Sequence, residues 1–243
     1  MLCPRRCGAD RQNGEKGYCG AGLQPRAARA ALYYWEEPCI SGSKGSGAVF
    51  FSRCNLSCLF CQNYKISQEG FGKEISITDL GKIFLHLQDQ GASNINLVSA
   101  TQYIPQTAEA IRFARANGLT LPIVYNSNAY ESIEALKLLD GLVDVYLPDL
   151  KYADNKYSLK YSNAPDYFYH ATRAILEMYR QTGNPSYDTN GMIQKGMLIR
   201  HLLLPGLQED SKKILRWIRE NLPVEVPVSL MAQYTPLFRA KSC

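Results

Sequence analysis

From Ala48 onward, short apolar runs alternate with longer segments of helical spacing, and that alternation leaves few folds open. The runs Ala48 to Phe51, Asn94 to Ser99, Leu121 to Tyr125, Val143 to Leu147, Met197 to Leu204 and Val226 to Met231 read as strands. Helices are expected at Thr78 to Gln90, with Thr78 or Asp79 as N-cap, and at Pro105 to Asn117, Tyr130 to Leu139 and Glu209 to Asn221. Two polar, Tyr-rich helical stretches fall at Asp154 to Ser162 and Pro165 to Thr182, followed by a loop from Thr182 to Lys195. Strands alternating with helices imply βαβ units and a parallel sheet. Parallel crossovers are right-handed, so the expected fold is α/β, a partial (β/α)6 TIM-type barrel. Its chemistry then belongs on the loops at the C-terminal ends of the strands.

The loop after the first strand is the most telling. Phe50-Phe51-Ser52-Arg53-Cys54-Asn55-Leu56-Ser57-Cys58-Leu59-Phe60-Cys61 carries three cysteines close enough for one loop to curl their sulfurs around a single centre. Soft thiolates select zinc, copper(I) or iron–sulfur clusters. A [4Fe–4S] cube takes four cysteines as a rule, so three leave one iron with an open position. A zinc knuckle closed by four ligands and buried free thiols rank below this reading.

Other strand ends also carry polar groups. They are Ser99-Ala100-Thr101-Gln102, Asn126-Ser127-Asn128, and Asp149 with Lys151, two residues apart on an extended end and therefore pointing the same way. Arg200 and His201 alternate, so only one of them faces the barrel interior. His201 is the sole plausible acid–base candidate among the three histidines. Tyr152, Tyr157 and Tyr161 read as packing.

Ahead of the barrel, Cys3, Cys7 and Cys19 sit among Gly and Pro turns. With Cys39 as fourth ligand they would close a second, structural metal site; the alternative is that the chain start is incomplete and a further cysteine lies upstream of Met1. Pro25 to Trp35 reads as an amphipathic or irregular lead-in. The expected organisation is a Cys-containing extension, 1–45, and one catalytic domain, 46–243. At 46% hydrophobic, the 243 residues suffice for one substantial core. The net charge of +5 is mild and scattered, which argues against a nucleic-acid footprint. No apolar run is long enough to span a bilayer and no signal peptide is visible, so a cytoplasmic protein is expected. The eight cysteines then read as metal or redox groups in a reducing compartment rather than disulfides, and oxygen sensitivity follows.

The cysteine stretch resembles the cluster motif of the radical S-adenosylmethionine superfamily, with Phe60 as the aromatic before the last cysteine. Glu36 to Gly42 and Cys61 to Tyr64 make the chain similar to pyruvate formate-lyase activating enzyme homologues of a less characterised iron–sulfur branch. The resemblance implies a [4Fe–4S] cluster on Cys54, Cys58 and Cys61 whose open iron takes S-adenosylmethionine, and reductive cleavage to a 5′-deoxyadenosyl radical that abstracts hydrogen. It implies cofactor contacts for Phe60, Asn126, Asn128, Asp149 and Lys151, the last two lying in an Asp-Leu-Lys segment. Asn126 stands where relatives often have an aspartate. Ser99 to Gln102 lacks the Gly-Gly-Glu-Pro-like segment common in the superfamily, so backbone carbonyls and Thr101 or Gln102 are expected to substitute. An electron donor of flavodoxin or ferredoxin type and a glycyl-radical protein substrate are the implied partners. Relatives begin earlier and run further, so a shortened form is expected; Cys243 takes no ligand role. The rival reading is an iron–sulfur electron-transfer or sensing module that does not cleave the cofactor.

Overall fold

The computed structural model describes residues 2–242, so Cys243 lies outside the described residues. In chain order the first half contains strand β1 (Arg26–Tyr33), helix α1 (Pro38–Ser41), β2 (Ser46–Phe51), α2 (Tyr64–Ser67), β3 (Lys73–Glu74), α3 (Ile77–Asp89), β4 (Ile95–Val98) and α4 (Ile104–Ala116). The second half contains β5 (Ile123–Ser127), α5 (Ile133–Leu136), β6 (Val145–Pro148), α6 (Asn155–Ser162), α7 (Tyr167–Thr182), β7 (Ser186–Tyr187), β8 (Ile193–Met197), β9 (Ile199–Leu202), α8 (Gln208–Asn221) and β10 (Val228–Met231).

β2, β4, β5, β6 and β8 pair in that order, all parallel. β9 and β10 form a second parallel pair, joined to β6 by a bridge between Asp149 and Arg200. With β8 and β9 counted as one strand interrupted at Leu198, these are the six strands of the expected partial barrel. The apolar runs form strands because both faces are covered: every residue of β5 is buried, as parallel sheets flanked by helices require. The helices lay their apolar stripes on that sheet, α3 through Leu80, Phe84 and Leu87 and α4 through Ile104, Ala108 and Ile111.

Several expectations change. Residues 26–33 are a strand, not an irregular lead-in, and pair antiparallel with β2 from Ala27 opposite Phe51 to Tyr33 opposite Ser46. Alanine and arginine carry little strand preference, so the ladder to β2 imposes the extended form. The fifth strand starts earlier than its apolar run, at Ile193, inside the expected loop, because Ile193 and Lys195 pair antiparallel with β7 and Gly196 pairs with β6. The N-cap of α3 is Ser76, whose Oγ accepts the Asp79 N–H at 3.0 Å and donates to the Asp79 carboxylate at 2.8 Å.

The barrel is not closed. Among the described residues β10 pairs only with β9, and the outer edge of β1 carries only the two-residue β3. An open flank therefore separates β1 from β10.

Candidate active site

The ends of β2, β4, β5, β6, β9 and β10 converge on one cavity of about 360 Å3, within the roughly 300–1,000 Å3 of small-molecule sites. Cys54, Cys58, Phe60, Cys61, Asn126, Asn128, Asp149 and Lys151 all line it. Tyr33, Glu36, Arg200, Gln233 and Tyr234 complete much of the wall.

The cysteine loop is clamped from outside. The N–H groups of Ser57 and Leu59 donate to the carbonyls of Ser162 and Tyr161 at 3.0 and 2.9 Å, so the otherwise unsatisfied carbonyls ending α6 hold the loop. Arg53, in a left-handed conformation at φ 76°, reaches the Gln68 carbonyl at 3.0 Å. A Cβ on Gly70 would stand 2.3 Å from the Arg53 guanidinium carbon, so only glycine admits this strut.

Each sulfur has a polar neighbour. Cys58 Sγ accepts from Ser162 Oγ at 3.0 Å, and Cys54 Sγ accepts from the Leu56 N–H and Asn128 Nδ2, both at 3.4 Å. Cys61 Sγ and Ser67 Oγ lie 3.2 Å apart. Burial pushes the Cys54 thiol up to about 12 and raises Cys58 as well, so a metal centre must displace protons to bind there. Among the described residues no three His, Cys, Asp or Glu side chains already stand as ligands of one metal ion.

Across the cavity lies a chain of alternating charges. Lys151 Nζ is 2.7 Å from Asp149 Oδ2; Arg200 Nε is 2.8 Å from Asp149 Oδ1; Arg200 Nη1 is 3.2 Å from Glu36 Oε2. Arg200 Nη2 also donates to Asn126 Oδ1 at 2.7 Å, and Glu36 Oε1 accepts from Asn96 at 3.2 Å. Burial opposes charge on Asp149, but Arg200 and Lys151 outweigh it and hold the carboxyl below its usual range. For Glu36 burial outweighs the attraction of Arg200, and its pKa is raised.

Several assignments need revision. Arg200 is the inward residue of its pair, and His201 is buried outside the barrel, 2.6 Å from the Leu150 carbonyl through Nδ1 and 2.9 Å from Ser211 Oγ through Nε2. A carbonyl only accepts, so Nδ1 carries the proton and Nε2 accepts from Ser211. His201 is therefore a structural group with no path to the cavity. Thr101 and Gln102 do not line the cavity either. Thr101 Oγ1 donates to Glu131 Oε1 at 2.7 Å, while Gln102 Nε2 reaches the carbonyls of Ser52, Arg53 and Ser99 at 3.0, 3.1 and 2.8 Å. Ser99 and Val98 are what this loop offers the cavity. Ser127 also turns to Glu131, at 2.6 Å. Cys39 lies on α1 against Ile40, Val124, Val145, Leu147, Ile193 and Leu198, packed as a small apolar group. Cys3, Cys7 and Cys19 sit instead around Gly17 and Asn55, so Cys39 is not their fourth ligand.

Sequence reasoning passed over Glu36, Ser67 and Ser162 as site residues. Ser162 ends a helix whose only signal was polarity. Glu36 lies in the short link before α1, where alternation gives no inward direction.

The family profile of the Radical SAM superfamily matches residues 48–218. The chain belongs to the radical SAM superfamily. It is 31% identical over 250 residues to "Uncharacterized protein MJ0674" of Methanocaldococcus jannaschii, covering 99% of this chain and 67% of that protein. Among solved structures it is similar to native anSMEcpe with bound AdoMet, with a TM-score of 0.53 at 12% identity over 76% of this chain and 50% of that one. It is also similar to HydG, a maturase of the [FeFe]-hydrogenase, with a TM-score of 0.52 at 15% identity over 78% of this chain and 43% of that one. The chain thus spans about half the length of these solved structures, and at such identities the likeness concerns the fold. Radical SAM membership implies a [4Fe–4S] cluster and S-adenosylmethionine as cofactors. The donor set suits them: three soft sulfurs, each beside a polar group, facing a cavity with both carboxylate and ammonium groups. Among the described residues no helix is long and apolar enough to cross a membrane.

Proposed function

We propose that Cys54, Cys58 and Cys61 hold a [4Fe–4S] cluster and that Phe60, Asn126, Asn128, Asp149 and Lys151 seat S-adenosylmethionine beside it, in a radical SAM enzyme that abstracts hydrogen from a substrate. The observation carrying this reading is that all eight of these residues, drawn from three separate strand ends, line one cavity. When bound, the reduced cluster and its sulfonium ligand supply a 5′-deoxyadenosyl radical, chemistry that belongs to the cofactors rather than the side chains.

The residues of the chain orient and shield. Lys151 and Arg200 present positive charge suited to a carboxylate, Asp149 and Glu36 present acceptors suited to an ammonium or hydroxyl, and their mutual pairing keeps each side chain in place. Phe60, held edge-on against Tyr234 with ring centroids 5.9 Å apart, lines the cavity together with the three cysteines. Asn128 is engaged on the cluster side, giving its amide to Asn55 Oδ1 at 2.9 Å as well as to Cys54.

The resemblance of Cys54 to Tyr64 and of Asp149 to Lys151 to pyruvate formate-lyase activating enzymes supports a finer reading: the substrate is a glycyl residue of a partner protein and the electron comes from a flavodoxin- or ferredoxin-type donor, in the cytoplasm. Anaerobic reconstitution, reduction with dithionite and addition of S-adenosylmethionine test the general reaction by formation of 5′-deoxyadenosine. A reducible cluster whose paramagnetic spectrum ignores S-adenosylmethionine, with no nucleoside formed, makes the chain an electron-transfer module instead. Candidate glycyl-radical proteins added to the same mixture test the finer reading by a carbon-centred radical signal.

A further inference from the structure

The segment ahead of β1 poses a physical problem that the active site does not solve. Residues 2–25 contain one 3-10 turn, Arg11–Asn13, and no other regular element. Of residues 2–24 only Gly17 and Ala21 are buried, so hardly any side-chain apolar surface holds the segment in shape. Stretches of this length without secondary structure are uncommon in folded domains unless functional or disordered, and small units lacking a core are usually stapled by disulfides or metals. Polar tethers exist, notably from Arg5 Nε to the Asn55 carbonyl at 2.8 Å and from Asn163 Nδ2 to Tyr18 Oη at 2.7 Å. They fasten the segment to the cysteine loop and to the end of α6 but do not explain its internal form.

Its internal form centres on three thiols. A Cβ placed on Gly17 would stand 3.3 Å from Cys7 Sγ and 3.6 Å from Cys19 Sγ, so the two sulfurs share one small space that a side chain would fill. Cys3 lines the same small cavity as Cys7 and lies within electrostatic reach of Cys19. Arg11 places a guanidinium nitrogen 3.7 Å from Cys19 Sγ, supplying positive charge among the sulfurs. The three do not already stand as ligands of one ion, but neither do Cys54, Cys58 and Cys61, whose family carries a cluster.

We propose that Cys3, Cys7 and Cys19 bind a second thiophilic metal centre, zinc or an iron–sulfur cluster, that staples the N-terminal segment over the cysteine loop. Its ligands are the three thiolates and one further donor that is not Cys39. The site is independent of the radical reaction, so the two proposals fail separately.

The test starts from anaerobically purified protein carrying C54A, C58A and C61A, in which zinc, iron and acid-labile sulfide are measured per chain. About one zinc, or iron with matching sulfide, is expected to remain, and adding C7A and C19A is expected to remove it. Alkylation of the unsubstituted protein provides a readout that no folding defect can obscure. Cys7 is exposed, so as a free thiol it reacts with iodoacetamide at once; under the proposal Cys3, Cys7 and Cys19 are protected until a chelator is added. Immediate alkylation of Cys7 in protein that has seen no chelator overturns the proposal, as does loss of all metal from a folded C54A/C58A/C61A protein.

Discussion

Ser162 Oγ donates to Cys58 Sγ at 3.0 Å across 104 residues of sequence. The Tyr152 hydroxyl lies 2.7 Å from the same Ser162 oxygen, and since Ser162 gives its proton to sulfur, Tyr152 gives its own to Ser162. A relay of two hydroxyls thus ends on one corner of the proposed cluster.

Removing that relay is expected to change the cluster's electronics. Hydrogen bonds to cluster sulfurs favour the reduced, more negative state. Loss of one bond of about 1 kcal/mol corresponds to roughly 40 mV for a one-electron couple. Ser162→Ala should lower the reduction potential by that order, measured by potentiometric titration followed by paramagnetic resonance. An unchanged potential would show that the bond does not persist with the cluster in place.

The Arg200 side chain, 16% exposed, lies between Glu36 and Asp149, and deleting one member of a largely desolvated ion group leaves the others uncompensated, at up to about 3–5 kcal/mol. Arg200→Met should lower stability by that amount in urea unfolding. Adding Glu36→Gln to Arg200→Met should recover part of the loss. If the double variant is no more stable than the single one, the two side chains are not coupled.

Glu131 is fully buried; burial raises its pKa to about 7, against the lowering effect of hydrogen bonds from Ser127, Thr101 and Tyr125. Its Oε2 has no hydrogen-bond partner. A carboxyl whose folded pKa is raised contributes stability that is complete below its unfolded value, near 4.5, and lost as pH rises through about 7. The loss is about 3 kcal/mol at 1.36 kcal/mol per unit. The urea midpoint of the native chain should therefore fall across this window relative to Glu131→Gln. Parallel profiles for the two proteins would sink the assignment.

His201 bridges Leu150 and Ser211 as a neutral ring, and burial lowers its pKa. His201→Ala leaves a buried carbonyl and hydroxyl without partners, at about 1–3 kcal/mol each. It should cost stability yet leave 5′-deoxyadenosine formation per folded molecule unchanged. Loss of turnover without loss of stability would return His201 to the chemistry.

What the sequence made legible follows from which signals are local. The parallel strands and the cysteine loop were readable because apolar runs, cysteine spacing and strand-end position are properties of neighbouring residues. β1 was not, since Arg26-Ala27-Ala28-Arg29 has no strand signature and becomes extended only by pairing with β2. Alternation showed that Arg200 and His201 point opposite ways but not which points in. Glu36 and Asp149 decide that, and their nearness to Arg200 is a tertiary fact. Ser162 and Glu36 entered the site from segments with no periodicity, where nothing local marks an inward side chain.

The unpaired rim between β1 and β10 has a mechanical consequence. A sealed cylinder of strands can gape only by rupturing ladder bonds, whereas this wall ends on two edges that share none. Leu230 on one lip is half exposed, and Trp35, just past the end of the other, is 83% exposed. Separation of these two edges therefore breaks no ladder hydrogen bond among the described residues.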